Sequence, residues 1–254
     1  MKQNIYDDPT FYAEYSTMRM TQSGLNEVLE QPAMSSLLPE IIHGRVLDLG
    51  CGDGGQCIKL RDLGASSVVG VDISQNMIRA AHERLAGRDC IQFHCTAIED
   101  FAAPRGAFDI VISSLAFHYV ADLEALFRNI HVWLKDSGIL IFSIEHPLIT
   151  CSQGIHSGWQ RGENNEKCHW QVDCYADEGK RKSRWFVEGV LKYHRTVSTI
   201  VNVLVDSGFH VLRMLEPHAV ETAEQKKPSL LEERRRPPFL LIKARKMTQE
   251  KAGL

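Results

Sequence analysis

Seven cysteines occur in this 254-residue chain without a single C-x-x-C pair, so it lacks both the zinc and the dithiol redox spacing. Their odd number and scattered positions fit reduced thiols in a cytosolic protein. Charge of one sign is scarce as well. The 29 Lys and Arg against 32 Asp and Glu leave a net charge of -3 and a pI near 6.4, with no electrostatic footprint for nucleic acid or an anionic membrane. No apolar run is long enough to span a bilayer. Met1 to Asp8 lack the apolar core of a signal peptide, and there is no internal repeat. The composition is otherwise that of an ordinary globular protein, 44% hydrophobic and 24% charged. The length suits one large α/β domain with an insertion and is too short for two full domains.

What is present is concentrated between Arg45 and Gly55. Arg45 to Leu49 is a short branched apolar run broken by one carboxylate, the pattern of a buried parallel strand. Gly50, Gly52 and Gly55 follow, and glycines there let the backbone turn sharply and approach a ligand closely. Cys57, Ile58, Leu60 and Leu63 then fall at helical spacing. Strand, glycine turn and helix make the first unit of a nucleotide-binding α/β fold. The spacing formally satisfies the dinucleotide fingerprint G-x-G-x-x-G, but three carboxylates argue against a pyrophosphate. Asp48 sits at the strand tip, where it would repel phosphate and suit a cationic amino group. Asp53 adds negative charge inside the turn. Asp72 ends the next strand, placed to accept from both ribose hydroxyls. A nucleoside with an amino-acid tail and no phosphate fits all three: S-adenosyl-L-methionine (SAM).

The ordered segments Asp48-Leu49-Gly50-Cys51-Gly52, Gly70-Val71-Asp72-Ile73-Ser74 and Phe108-Asp109-Ile110-Val111 resemble the class I SAM-dependent methyltransferases, of the bacterial small-molecule, methyltransferase type 11-like kind. The resemblance covers roughly residues 40 to 145. It implies an α/β fold: a Rossmann-like, seven-stranded, mostly parallel sheet with helices on both faces. It also implies grips for the cofactor, with Asp48, Gly50 and Gly52 at the methionine moiety and Asp72 and Ile73 at the ribose. Ala97, Ile98 and Glu99 would hold the adenine. Ser114, Leu115, His118 and Tyr119 follow the fourth strand, near the cofactor's methionine end. Tyr15, on an N-terminal helix that closes over the cofactor in this family, would lie against the sulfonium, because an aromatic face attracts a cation; otherwise it packs on the domain. The Asn-Pro-Pro-aromatic tetrad of nucleic-acid amino methyltransferases is missing from the segment after strand four.

Three parts are expected: an N-terminal helical cap over residues 1–44, a SAM-binding α/β domain over 45–246 and a loose tail over 247–254. A helix is expected to run from Asp122 to Leu134 and a turn to fall at Ser137-Gly138. Residues 148–192 interrupt the usual pattern after strand five and carry Trp159, Trp170 and Trp185. The spacing predicts one β-hairpin lid there, from a strand Trp170 to Tyr175 and a return strand Arg184 to Tyr193. Its aromatics would line a pocket for a small, partly apolar substrate or form the hairpin's own core. Lys180, Arg181, Lys182 and Arg184 read as a solvated face or as attraction for a carboxylated substrate, and Arg234-Arg235-Arg236 as solvated.

Candidate catalytic groups come from the carboxyl ends of the strands. His118 is either a general base, its pKa lying near working pH, or a packed histidine. Glu145 and His146 are acid–base candidates or a solvated strand end. Tyr175, Tyr193 and His194 belong to the insertion and its exit. The segments Glu145-His146-Pro147 and Lys192-Tyr193-His194-Arg195-Thr196 resemble a bacterial branch of the superfamily in which Tyr193, His194 and Arg195 would face the pocket. No metal ligand set is expected, and no nucleic-acid or membrane partner. A homodimer is allowed for. Methyl transfer to a small molecule is the first expectation. Cyclisation of SAM itself to a four-membered amino acid, with loss of methylthioadenosine, is the alternative. A SAM-binding regulator and an NAD oxidoreductase stand further back.

Overall fold

The computed structural model describes residues 2–21, 24–85, 87–152, 158–219 and 221–248. A single turn at Ile5–Asp7 leads into α1 (Pro9–Met20), where the Asp8 carboxylate accepts from the Phe11 amide at 2.9 Å. Proline in that first turn has no amide to leave unsatisfied. A π-helical turn at Asn26–Glu30 runs into α2 (Gln31–Leu37). The sheet units follow: β1 (Arg45–Leu49), α3 (Gly55–Asp62), β2 (Ser67–Asp72), α4 (Gln75–Leu85), β3 (Ile91–Cys95), β4 (Phe108–Ser113), α5 (Leu123–Trp133) and β5 (Leu134–Glu145). After β5 come the four-residue α6 (Pro147–Thr150), β6 (Gly158–Arg161), β7 (Lys167–Gln171), β8 (Gly179–Trp185) and β9 (Val187–His194). The chain then returns to the sheet through α7 (Val197–Asp206), β10 (Phe209–Leu215), α8 (Glu221–Lys226) and β11 (Phe239–Lys246).

The strand order is β10-β11-β5-β4-β1-β2-β3. The β1–β5 pairs are parallel, and β11 runs antiparallel to both its neighbours. The chain winds outward from β1 to β3 and restarts at β4 beside β1. That reversal opens a crevice at the carboxyl ends of β1 and β4, where α/β sheets bind their ligands. Each face of the sheet is sealed by its own core. One is built on Leu47, Val111, Phe127, Phe142 and Phe209, the other on Leu29, Ile42, Leu60, Val68 and Ile141. Leu123, Leu126, Phe127, Ile130 and Trp133 recur at three- and four-residue steps and put one face of α5 into the first core. Among the described residues no helix is long and apolar enough to cross a membrane.

Three expectations are corrected. The turn at Ser137-Gly138 does not end a helix. It is an irregularity inside β5, where the register with β4 jumps from Phe108↔Leu134 to Ile110↔Ile139 and Ser137 takes φ 61. The insertion holds two hairpins instead of one: β6 pairs with β7, and β8 with β9 around a turn at Phe186, φ 59. Residues 153–157 of that insertion, and 249–254 of the expected tail, lie outside the described residues.

The third concerns the basic runs. Arg236 is 8% exposed, bonds Glu233 at 2.6 Å and lies 4.2 Å over the Trp170 ring, while Arg235 lies 4.7 Å over Trp159. Arg181 is also buried, donating to the Cys151 carbonyl at 3.1 Å. These guanidiniums pack on tryptophan faces and carbonyls, because a delocalised planar cation is weakly hydrated and stacks well.

The N-terminal segment and the second hairpin meet above the crevice. The Asp7 carboxylate accepts from Ser74 Oγ at 2.6 Å and the Asn76 amide at 3.1 Å, tying the cap to the start of α4. Gln3 donates to the Gly189 carbonyl and accepts from the Leu191 amide, at 2.9 and 2.7 Å. The Phe11 ring packs edge-on against Trp185 and Phe186.

Candidate active site

Beneath this roof lies a cavity of about 1430 Å³. Its floor is the glycine turn. Gly50 has φ 81, and a Cβ there would lie 2.4 Å from the Ala116 Cβ, so only glycine fits. Gly52 has φ 53, and its missing Cβ would meet nothing within 4 Å; the turn is open to the cavity at that point. Asp72 holds the turn in shape. Its two oxygens accept from the Gly52 and Ser74 amides, each at 2.9 Å. Burial raises its carboxyl above the usual range against these two bonds.

Asp48 is 1% exposed. Its Oδ2 accepts from the Cys57 thiol at 3.3 Å, and its Oδ1 is buried with no hydrogen-bond partner. Burial pushes its carboxyl up to about 7. A buried carboxylate oxygen without a partner costs free energy, and a ligand cation is what would complete it. Arg19, one helical turn beyond Tyr15, also lines the cavity and is ion-paired with Glu27. The floor thus offers an acidic and a basic group, the two charges a zwitterionic amino-acid tail needs.

Ile73, Ala97, Ile98 and Glu99 line one end of the cavity, with Ala97 and Ile98 buried. Ser114 lines the other end and donates to Glu30 at 2.8 Å. Tyr15 also lines the cavity, its ring 5.1 Å from Tyr6 and 6.0 Å from Trp185, and burial pushes its phenol up to about 12.

Of the expected catalytic groups, His118, Glu145 and Tyr193 line the cavity. His118 is 5% exposed, and burial brings its imidazole down to about 4. Its Nδ1 faces the Glu145 amide at 3.4 Å, which leaves the proton on Nε2. Glu145 accepts from Lys192 at 2.6 and 2.8 Å. Its carboxyl lies below the usual range, the Lys192 charge overcoming the burial that would raise it.

His146, Tyr175, His194 and Arg195 do not line this cavity. His146 caps α6 through the Leu148 amide at 3.1 Å and bonds Glu216 at 2.8 Å. His194 is fully buried between Thr150 Oγ1 and the Tyr175 carbonyl, at 2.8 and 2.9 Å. The Tyr175 hydroxyl accepts from the Val197 amide at 3.2 Å. Arg195 donates to the carbonyls of Val120 and Ala121 at 2.8 and 2.7 Å. Strand alternation separates Tyr193 from His194, since neighbours in β9 point to opposite faces. Trp159 and Trp170 pack on each other with centroids 5.7 Å apart, away from the cavity, and Trp185 is the insertion's tryptophan that lines it. Sequence reasoning missed Tyr6, Arg19, Glu30 and Lys192. Only Arg19 carried a local signal, four residues after Tyr15 on one helix face.

The cavity at the switch point is thus floored by a glycine turn, with the Asp72 carboxylate beside it and the Asp48 carboxylate, one oxygen unpartnered, at the strand tip. Residues 47–142 match a family model described as a methyltransferase domain. The chain is 39% identical to an S-adenosylmethionine dependent methyltransferase of known structure from Mesorhizobium loti, with TM-score 0.78 over 85% of this chain and 97% of that one. It is 36% identical to an uncharacterized protein of Haemophilus influenzae over 97% of this chain and 98% of that one. A ubiquinone biosynthesis O-methyltransferase of Bradyrhizobium diazoefficiens matches over 100 residues at 38% identity, 39% of each chain. The chain belongs to the class I SAM-dependent methyltransferases, and SAM is its cofactor.

Proposed function

We propose that the protein methylates a small molecule that shares the cavity with SAM. The observation that carries this is the room. Pockets for one drug-sized ligand run to about 300–1,000 Å³, and this cavity, at about 1430 Å³, is larger. It continues past the cofactor-side residues to Tyr119, Trp185, Tyr193 and Phe239. SAM, when bound, would supply a methyl carbon activated by the sulfonium sulfur, which leaves as the neutral thioether of S-adenosylhomocysteine. Asp48 would neutralise its ammonium, Arg19 its carboxylate and Asp72 its ribose hydroxyls. Ala97 and Ile98 would pack on the adenine, and the Tyr15 ring would lie against the positive sulfur.

The chain's own work at the acceptor is positioning. The acceptor nitrogen of His118, Nδ1, is already taken by the Glu145 amide and burial makes the ring a weak base, so its Nε2 proton serves as a hydrogen-bond donor. Glu145 is occupied by Lys192. Burial holds Tyr6 and Tyr119 as neutral phenols, their pKa values well raised. With no proton acceptor poised among these groups, the acceptor fits best as a group whose lone pair is already free at neutral pH.

Incubation with SAM alone separates this reading from cyclisation. We expect SAM to persist until an acceptor is added and then to yield S-adenosylhomocysteine. Methylthioadenosine forming from SAM without an acceptor would sink the proposal.

A further inference from the structure

Glu30 is fully buried, 0% exposed, although it sits on the polar-looking stretch between α1 and α2. Its Oε1 accepts from Ser143 Oγ at 2.5 Å and Ser114 Oγ at 2.8 Å, and its Oε2 from Gln31 Nε2 at 2.8 Å. All three donors are neutral. Glu30 forms no ion pair among the described residues, and Arg19, which acts on it electrostatically, is paired with Glu27. A buried carboxylate without a cation is costly, and the turn that carries it is π-helical, a geometry often found at functional sites.

Its surroundings point to the cofactor. Ser114 and Gln31, its direct partners, both line the cavity. Ser143 also accepts from the Leu115 amide at 3.0 Å and so fixes a left-handed residue, φ 53, in the cavity wall. Asp48, whose Oδ1 is buried and orphaned, lies close enough to feel the Glu30 charge. Two buried carboxylates therefore lie at one end of the cavity, and neither is ion-paired among the described residues.

We propose that Glu30 is a second electrostatic anchor for the cofactor's ammonium, acting through Ser114 and Gln31 as a positioning residue. This rests on the SAM-binding reading above. It assigns the N-terminal cap a part in recognising the amino-acid tail, beyond covering it.

The test is Glu30→Gln. A glutamine carbonyl has two lone pairs, so it retains both serine bonds while losing the charge, and the Gln31 side-chain amide keeps its bond by turning over to present its oxygen to the new NH2. Calorimetric titration would compare SAM with methylthioadenosine, which lacks the amino-acid tail. The expected result is a loss of SAM affinity of about tenfold or more, with methylthioadenosine affinity unchanged and a melting temperature no lower than that of wild type. SAM affinity at the wild-type level would overturn the proposal, and so would SAM and methylthioadenosine affinities falling together. A variant that does not fold would also overturn it, because the charge would then serve the fold and not the ligand. Wild-type protein that fails to bind SAM would instead refute the underlying SAM reading.

Discussion

Replacing Asp48 by asparagine is expected to stabilise the unbound protein while cutting SAM affinity about a hundredfold, ~3 kcal/mol. Both effects have one cause. The carboxyl titrates at about 7 in the fold, against an ordinary 3.8. Between those values the folded protein binds a proton that the unfolded chain has released, so stability falls as pH rises through that window. The contribution of this one group is on the order of 4 kcal/mol and is complete above about pH 7. Asparagine retains an oxygen for the Cys57 thiol and removes this slope. What it cannot do is neutralise an ammonium. Urea unfolding at pH 5 and pH 8, with and without SAM, checks both halves. A variant less stable than wild type at pH 8, or one that binds SAM as tightly, would contradict the assignment.

The second large effect is expected at Lys192. The Glu145–Lys192 pair joins the end of β5 to the second hairpin, with side chains 20% and 9% exposed. Lys192→Met would leave the Glu145 carboxylate buried without its cation, at a cost of about 3–5 kcal/mol near neutral pH. Changing Glu145 to glutamine in the same protein should recover most of that loss, because no unpaired charge then remains. The pH dependence gives the signature. In wild type the Glu145 carboxyl lies below its ordinary 4.5, so its contribution is present above that pH and is lost as pH falls through the folded value. Without Lys192 the burial that raises it is opposed only by the weaker pull of His118 and Arg236. The sign then reverses, and the variant should gain stability as pH falls toward 4.5. Unfolding free energies measured from pH 4 to 8 would show the two slopes. Parallel profiles for wild type and Lys192→Met would mean that the ion pair contributes little.

The parts of this molecule that were legible in its sequence are those written at short range. Arg45 to Leu63 states strand, turn and helix in one short stretch, and Asp72 follows at the end of the next apolar run. Asp48, Gly50, Gly52 and Asp72 line one cavity. The insertion was harder, because its pairing is decided by partners far along the chain. The turn at Phe186 uses a non-glycine residue at positive φ, which no turn signal announces, and Trp159 and Trp170 are claimed by Arg235 and Arg236 more than sixty residues away. His146 and His194 stand at strand ends, where local capping and strand alternation turn them away from the cavity, whereas Tyr175 falls in the link after β7, which ends at Gln171, and is held by the Val197 amide. Glu30 was invisible for the opposite reason. A glutamate on a helical turn reads as solvent-facing until Ser114 and Ser143 are brought against it.

The central claim is electrostatic: a buried acidic strand tip waits for a cationic amino-acid tail. Its most direct test is the affinity of wild-type protein for SAM, measured by calorimetry from pH 5.5 to 8. Ionising Asp48 must accompany binding below its titration point, so affinity should climb about tenfold per pH unit and flatten near pH 7. Methylthioadenosine, without the tail, should bind equally at every pH. A SAM affinity that does not change across this range would contradict the account.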